Sequence, residues 1–369
     1  TIIREGKIGD ALIGFVQQFV GKLKTGLGAV TVITCAIFGA ISGSSAATLS
    51  SVGSIMAPKL QDRGYPRSVI AALLASSSVL GLLIPPSAAQ ILYAWSSGTS
   101  VLACFLATIV PGLIVAALFC VVQHFQVRKL KSIEDATPEA MDMHFGAVMK
   151  RTGHAVPALL MPVLVLGGIY GGFLTTMEAA AIAAVYCVPV AILVYRGMKF
   201  KDLWRTLVEA GYSCGAVAMM LMSCGILSRI FTTERIPDLL VSATMHFTSS
   251  KVVIMLMINL VMIVLGMLMD DGSAIVLSTP LLLPIALSIG VNPVHYAAIM
   301  GVNLGMGLVT PPCAPMLFLG AQVARAPANE AFKPTMQYIL FAWLPTLALT
   351  VCIPQLSLWL PHLVLGTPM

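Results

Sequence analysis

Apolar residues in this 369-residue chain come in long runs separated by short polar stretches. The runs are close to the roughly 20 residues that a helix needs to cross about 30 Å of hydrocarbon. Strands cannot explain runs this long, because only helices and closed barrels satisfy their backbone groups inside a bilayer. Uninterrupted runs predict spans near 101–125, 156–173, 178–196, 210–231 and 335–363. Other runs are broken. The run 29–60 is interrupted by "SGSSAATLSS" at 42–51, which leaves each side short for a crossing and predicts a re-entrant helical hairpin. A second such run, 251–289, is interrupted by "MDDGSA" at 269–274. Two further runs, 67–97 and 294–322, are broken by Pro85-Pro86 and Pro311-Pro312. Each proline removes a backbone donor and clashes one turn back, at about 3 kcal/mol or more in a helix interior. Residues 1–26 mix Arg4, Lys7, Lys22 and Lys24 with apolar positions and predict an amphipathic helix lying at the interface.

Composition agrees with a chain that lies almost wholly in a membrane. Hydrophobic residues make up 58% and charged residues only 10%, where a soluble chain carries about 25% charged residues. The net charge of +6 needs no nucleic acid, since cytoplasmic loops are rich in Lys and Arg. With each hairpin returning to its starting side, the basic segments 59–67, 126–155, 196–205 and 324–333 share one side, the cytoplasm. The opposite turns at 98–100 and 174–177 hold no Lys or Arg, and 232–250 holds Arg235 and little else basic. The C-terminus is then expected on the outer side. The eight cysteines form no CxxC pair and sit in apolar surroundings, and no HExxH or phosphate-loop motif occurs. An enzyme is not indicated, and neither is direct ATP use.

The two Pro-Pro pairs belong to a repeat. A shift of 226 aligns residues 58–88 with 284–314 without a gap, and Pro58, Gly64, Ala71, Ala72, Gly81, Leu82, Pro85, Pro86 and Ala88 all meet identical residues. In the same register Ser44-Ser45 faces Asp270-Asp271. Five expected crossings separate the hairpins. Five is odd, so the second repeat enters the membrane from the opposite face, which is the mark of a secondary transporter. Irregular backbone survives in a membrane only where it lines a polar cavity. Freed carbonyls can hold small cations there, while half-helix N-termini favour anionic groups.

Candidate ligands follow. The first tip offers Ser42, Gly43, Ser44, Ser45, Thr48 and their carbonyls, and Ser87 follows the first break. Asp270 and Asp271 lie in an apolar region, where acids are costly and usually functional. Asn303 and Thr310 precede the second break. Such hard oxygen donors suit Na+ better than a transition metal. Arg229 and Arg235 flank a span end, where they attract an anion or snorkel to headgroups. Glu178 reads first as a helix-start acid.

These residues carry a family resemblance. "FGAISGSSAATLSSVGSIMAPKLQDRGYP", "IPPSAAQILYAW" with "VPGL", "YGGFLTTMEAAA", "GMLMDDGSAIVLSTPLLLPIA" and "GLVTPPCAPMLFLGAQVA" occur in that order. They resemble the large membrane subunit of TRAP (tripartite ATP-independent periplasmic) transporters. The resemblance implies an all-α, polytopic, inverted-repeat elevator fold in the bacterial inner membrane. It also implies Na+ as coupling ion, a small membrane subunit, and a periplasmic binding protein that delivers a small organic anion. Ser42 to Thr48 with Pro85, Pro86 and Ser87 resemble one Na+ site, and Asp270, Asp271 and Gly272 with Gly307, Thr310 and Pro311 the other. The substrate is expected between the tips, near Ser45, Ser87, Asn303 and Arg235. Family members carry about two more N-terminal segments, so the chain is expected to begin inside the full subunit.

The expected organisation is an amphipathic interfacial scaffold helix at 1–28, a first transport repeat at 29–98, and linking and scaffold spans at 99–250, with 101–125 and 335–363 in the scaffold. A second transport repeat at 251–323 and a C-terminal scaffold span at 324–369 complete it. The alternatives are a stand-alone Na+- or H+-coupled carrier without a binding protein, and a channel. Two occluding hairpins argue against the channel.

Overall fold

The computed structural model describes residue 2 and residues 26–128, 145–248 and 250–366, and every regular element among them is helical. The interfacial helix expected over 1–26 lies almost wholly outside the described residues. The first repeat holds α1 (Gly26–Ser42), α2 (Ser45–Asp62), α3 (Arg67–Leu83) and α4 (Ala88–Ser97). A long α5 (Val101–Arg128) follows. Then come α6 (Phe145–Tyr170), α7 (Thr176–Pro189, extended by a wider π turn over Val190–Val194), α8 (Phe200–Thr233) and α9 (Ile236–Phe247). The second repeat holds α10 (Lys251–Leu268), α11 (Asp271–Ser288), α12 (Pro293–Gly307) and α13 (Pro315–Ala324). The chain closes with α14 (Ala328–Cys352) and α15 (Gln355–Leu365). Among the described residues, six helices are long and apolar enough to cross a bilayer, and the pair α3–α4, bent by 43° at the first Pro-Pro break, makes a seventh.

The repeat is visible in local geometry. α2 ends when Gly64 turns left-handed at φ 77°, and α11 ends 226 residues later with Gly290 at φ 81°. Both ends tie off in one way. Gly64 and Tyr65 donate backbone N–H groups to Gln61 and Leu60, and Gly290 and Val291 donate to Leu287 and Ala286. This double bond satisfies the last helical carbonyls, and glycine alone takes the left-handed turn without a Cβ penalty. The two Pro-Pro peptide bonds are both cis.

The repeats interlock. α11 packs against α4, and α2 packs against α13, so each hairpin's second helix grips the other repeat's post-break helix. At one end of this exchange the Tyr93 hydroxyl donates to the Pro293 carbonyl at 2.7 Å. The long helix α5 lies against α1, α3, α4, α12 and α15. Phe119 on α5 meets Tyr338 and Trp343 of α14 edge to face, with ring centroids 5.4 and 5.5 Å apart. By contrast α6 and α7 pack chiefly on each other, and α8 and α9 lean on α11.

Three expectations are corrected. The first tip is a two-residue break, Gly43-Ser44, not a ten-residue stretch, because Ser45 to Ser51 already belong to α2. The segment 232–250, read as an outer turn, contains α9, none of whose residues is buried. The last span divides at Ile353-Pro354 into α14 and α15, because a proline cannot continue the hydrogen-bond ladder. The reading of Glu178 holds. It closes a capping box with Thr175, whose backbone N–H and hydroxyl donate to its carboxylate at 2.7 and 2.9 Å.

Candidate functional site

The first tip and the first break form one assembly. α1 ends at Ser42, Gly43 turns left-handed at φ 64°, and Ser44 is extended as the N-cap of α2. The Ser42 and Thr48 hydroxyls lie 2.9 Å apart, and Thr48 Oγ1 donates to the Ser44 carbonyl at 2.8 Å. The Gly43 carbonyl accepts the backbone N–H of Ala88, first residue of α4, at 3.1 Å. A Cβ on Gly43 would lie 3.0 Å from the Pro86 carbonyl oxygen. One turn back, Gly39 faces Gly81 so closely that a Cβ on Gly39 would lie 2.6 Å from the Gly81 Cα. Two glycines are what allow the backbones of α1 and α3 to touch.

Carbonyls and hydroxyls therefore crowd one place. Ser45, Thr48 and Ser87 are buried, and the Ser87 hydroxyl has no hydrogen-bond partner. A buried hydroxyl without a partner loses its water bonds and gains nothing in return, at about 1–3 kcal/mol. Eleven other buried polar side-chain atoms among the described residues are likewise unpartnered, so Ser87 is set apart by its place beside the tip and the break. Ser42, Gly43, Pro86 and Ser87 border a cleft of about 250 Å³ whose far wall comes from α5, α6 and α7. The residues fit a small hard cation, through carbonyl and hydroxyl oxygens. Among the described residues no three His, Cys, Asp or Glu side chains gather to hold a metal.

The second tip repeats the plan with different chemistry. Asp270 stands 226 residues after Ser44 and is likewise the N-cap, accepting from Gly272 and Ser273 backbone N–H groups at 3.1 and 3.3 Å. Its other oxygen accepts the Ser273 hydroxyl at 2.6 Å. Asp271 accepts from the Gly272 N–H at 3.1 Å. Asp270 is exposed and Asp271 half-buried. A Cβ on Gly272 would meet Met220 of α8 and Leu92 of α4, which marks the direction the tip faces. The tip's hairpin joins its broken helix one turn back, where a Cβ on Gly307 would lie 2.8 Å from the Gly266 Cα. Thr310 Oγ1 donates to the Met306 carbonyl at 2.6 Å, so it closes the helix end before Pro311.

The expected substrate residues do not all converge. Ser45 and Ser87 belong to the first assembly. Asn303 is fully buried in α12, donates to the side-chain oxygen of Asn259 on α10, and leaves its own Oδ1 without a partner. Asn259 was not foreseen; the signal was a lone amide inside "LMINLVM". Arg235 is exposed, with φ 51°, at the turn between α8 and α9, and it does not border the cleft.

The sequence matches, over residues 1–356, the family described as tripartite ATP-independent periplasmic transporter, DctM component. It is 34% identical over 354 residues to the isethionate TRAP transporter permease protein DctMQ of Oleidesulfovibrio alaskensis, covering 96% of this chain and 55% of that protein. It is 34% identical over 357 residues to the C4-dicarboxylate TRAP transporter large permease protein DctM of Pseudomonas aeruginosa, covering 97% of this chain and 82% of that one. To the sialic acid TRAP transporter large permease protein SiaM of Vibrio cholerae it is 28% identical over 365 residues, covering 99% and 84%. The chain thus spans about half the length of the first relative and about four-fifths of the others. The helical, polytopic fold and the family match agree: this chain belongs to the DctM component family of the tripartite ATP-independent periplasmic transporters, a transporter component and not an enzyme.

Proposed function

We propose that the chain is the large membrane subunit of a Na+-coupled importer of a small organic anion. The observation that carries this reading is the first tip joined to its Pro-Pro break. Gly43 bonds to Ala88, carbonyls and hydroxyls crowd there, and Ser87 is left without a partner. The second repeat supplies a matching tip, capped by Asp270, in the same register. In this account Ser42 to Thr48 with Pro85 to Ser87 hold one Na+, and Asp270 to Gly272 with Gly307 to Pro311 hold the other. The relatives named for isethionate, C4-dicarboxylates and sialic acid all handle organic anions, which supports that substrate class. A small membrane subunit and a periplasmic binding protein complete the carrier, which sits in the inner membrane with the basic loops cytoplasmic and the C-terminus periplasmic.

Transport in this reading is an elevator movement of one rigid body between the two sides. Packing favours a wider body than the two repeats alone. A Cβ on Gly305 would meet Trp343 of α14 at 2.7 Å, and one on Gly112 of α5 would meet Leu83 at 3.1 Å. Interdigitation this close does not slide. We therefore group α5 and α14 with the two repeats as the moving body, and take α6 and α7, which pack chiefly on each other, as the frame. The sequence alone had grouped 101–125 and 335–363 with the frame.

The test is uptake into proteoliposomes that contain the chain, its small subunit and its binding protein. An inward Na+ gradient is expected to drive accumulation of the anion, and dissipating the gradient to stop it. Undiminished uptake with Na+ replaced by K+, under a proton gradient alone, would overturn Na+ coupling.

A further inference from the structure

The last helix is held to the fold by little apolar surface. Leu358 and Leu365 of α15 lie against a small patch of Ala103 and Ala107 on α5 and Val294 and Ala298 on α12, separate from the main core. A polar contact joins the same helices. His295, in the first turn of α12, is buried, and its Nδ1 lies 2.5 Å from the hydroxyl of Ser357, which is itself fully buried just past the break at Ile353-Pro354. The Val351 carbonyl faces the ring from the end of α14. The Ser357 hydroxyl also lies 3.0 Å from the Pro354 carbonyl. Among the described residues, the titratable side chains at this end of the helices packed about the ring are Tyr93, Cys104, Lys251, Tyr296, Cys352 and His362. Tyr93 donates to the Pro293 carbonyl, Tyr296 donates to Met262 Sδ, and Cys104 pairs with Thr99. Lys251, Cys352 and His362 are exposed. None of these is a carboxylate.

We propose that His295 and Ser357 form an acid-sensitive latch that fixes α15 on α5 and α12. With the ring neutral, Nε2–H turns to the Val351 carbonyl and Nδ1 accepts the Ser357 hydroxyl, so both nitrogens are satisfied. A proton added to Nδ1 reverses that bond. The hydroxyl must then accept, and it turns its own hydrogen to the Pro354 carbonyl. The hydrogen bonds survive, but an imidazolium is left buried with no described carboxylate beside it, and an unpaired buried charge is far more costly than a neutral group. Undocking of α15 opens the ring to water and removes that penalty. A proton therefore binds the undocked state more tightly, and by linkage acid weakens docking. The docked ring holds fewer protons than the released one. Docking is thus full above the ordinary histidine pKa of about 6.5 and weakens as pH falls below it. The latch stands apart from ion coupling, and only its facing the periplasm rests on the topology proposed above.

Hydrogen–deuterium exchange of the purified full chain in nanodiscs tests this, at neutral and acid pH and corrected for the intrinsic pH dependence of exchange. Between about pH 7.5 and about pH 5, protection of α15 is expected to fall by about 30-fold, as a released imidazole titrating near 6.5 dictates. Protection of α5 is expected to stay as it was. His295→Gln stays neutral and can still accept the Ser357 hydroxyl, so it is expected to show no such fall. Ser357→Ala is expected to lower the protection of α15 several-fold at neutral pH and to keep the fall in acid, because the ring remains buried. Equal protection of α15 at both pH values in the wild-type chain would overturn the latch. An equally large fall in the His295→Gln variant would overturn it as well, by assigning the pH dependence to another group.

Discussion

Gly39→Val is expected to prevent the first repeat from assembling, seen as loss of monodisperse protein after detergent extraction. The new Cβ would sit 2.6 Å from the Gly81 Cα and 2.9 Å from its N, and both are backbone atoms that no rotamer change can move aside. Overpacking ordinarily costs about 1–3 kcal/mol, and here α1 and α3 must separate along their length. Separation would also pull Ser44 from its place beside Gly81. Gly307→Val is expected to do the same to the second repeat through Gly266, since its Cβ would lie 2.8 Å from that Cα. Gly211→Ala on α8 is the matched control, because nothing lies within 4 Å of the added carbon. A well-folded Gly39→Val protein would show that the α1–α3 contact is looser than described.

The second large effect falls on activity and spares the fold. Gly43→Ala places an L-residue at φ 64°, which costs about 1–2 kcal/mol, and brings its Cβ to 3.0 Å from the Pro86 carbonyl. The tip can relieve both only by drawing back from the break, which stretches the Gly43–Ala88 hydrogen bond. The global core is untouched, so the melting midpoint is expected to fall by only a few degrees. Na+-driven uptake is expected to drop by more than about tenfold, because misplacing a positioned group by an ångström costs on the order of a hundredfold in comparable sites. Uptake within twofold of wild type would detach the tip from the coupling mechanism.

Much of this arrangement was legible because it is encoded locally. Pro85-Pro86 and Pro311-Pro312 announce the breaks through the missing donors, and their common register gives the repeat. Ser44 and Asp270 both turned out to be N-caps, a role that short polar side chains favour for the orphan N–H groups of a helix start. The tip widths were overread for the same reason. Serines at 45, 50 and 51 look like loop to a compositional eye, yet once Ser44 has capped α2 they continue the helix. Helix α9 escaped notice because 232–250 lies between two expected spans and was counted as a connecting turn for its charge alone. What could not be read is tertiary. Nothing in the spacing of Gly301 and Gly305 tells that Gln90 and Trp343 fill the space beside them. For the same reason the attachment of α5 and α14 to the repeats had to come from packing. Arg235 was read as attracting an anion or snorkelling to headgroups; it is exposed at the turn between α8 and α9 and does not border the cleft.

Accessibility of the first tip from each side of the membrane tests the central claim most directly. Ser42→Cys, in a background free of the eight native cysteines, puts a thiol at a half-buried position on the cleft wall. A membrane-impermeant maleimide is expected to label it from the cytoplasm in one end state and from the periplasm in the other. Na+ together with substrate is expected to suppress labelling from both sides. Labelling from a single side under every condition that supports uptake would contradict the account, since the tip would then stay put while the anion crosses.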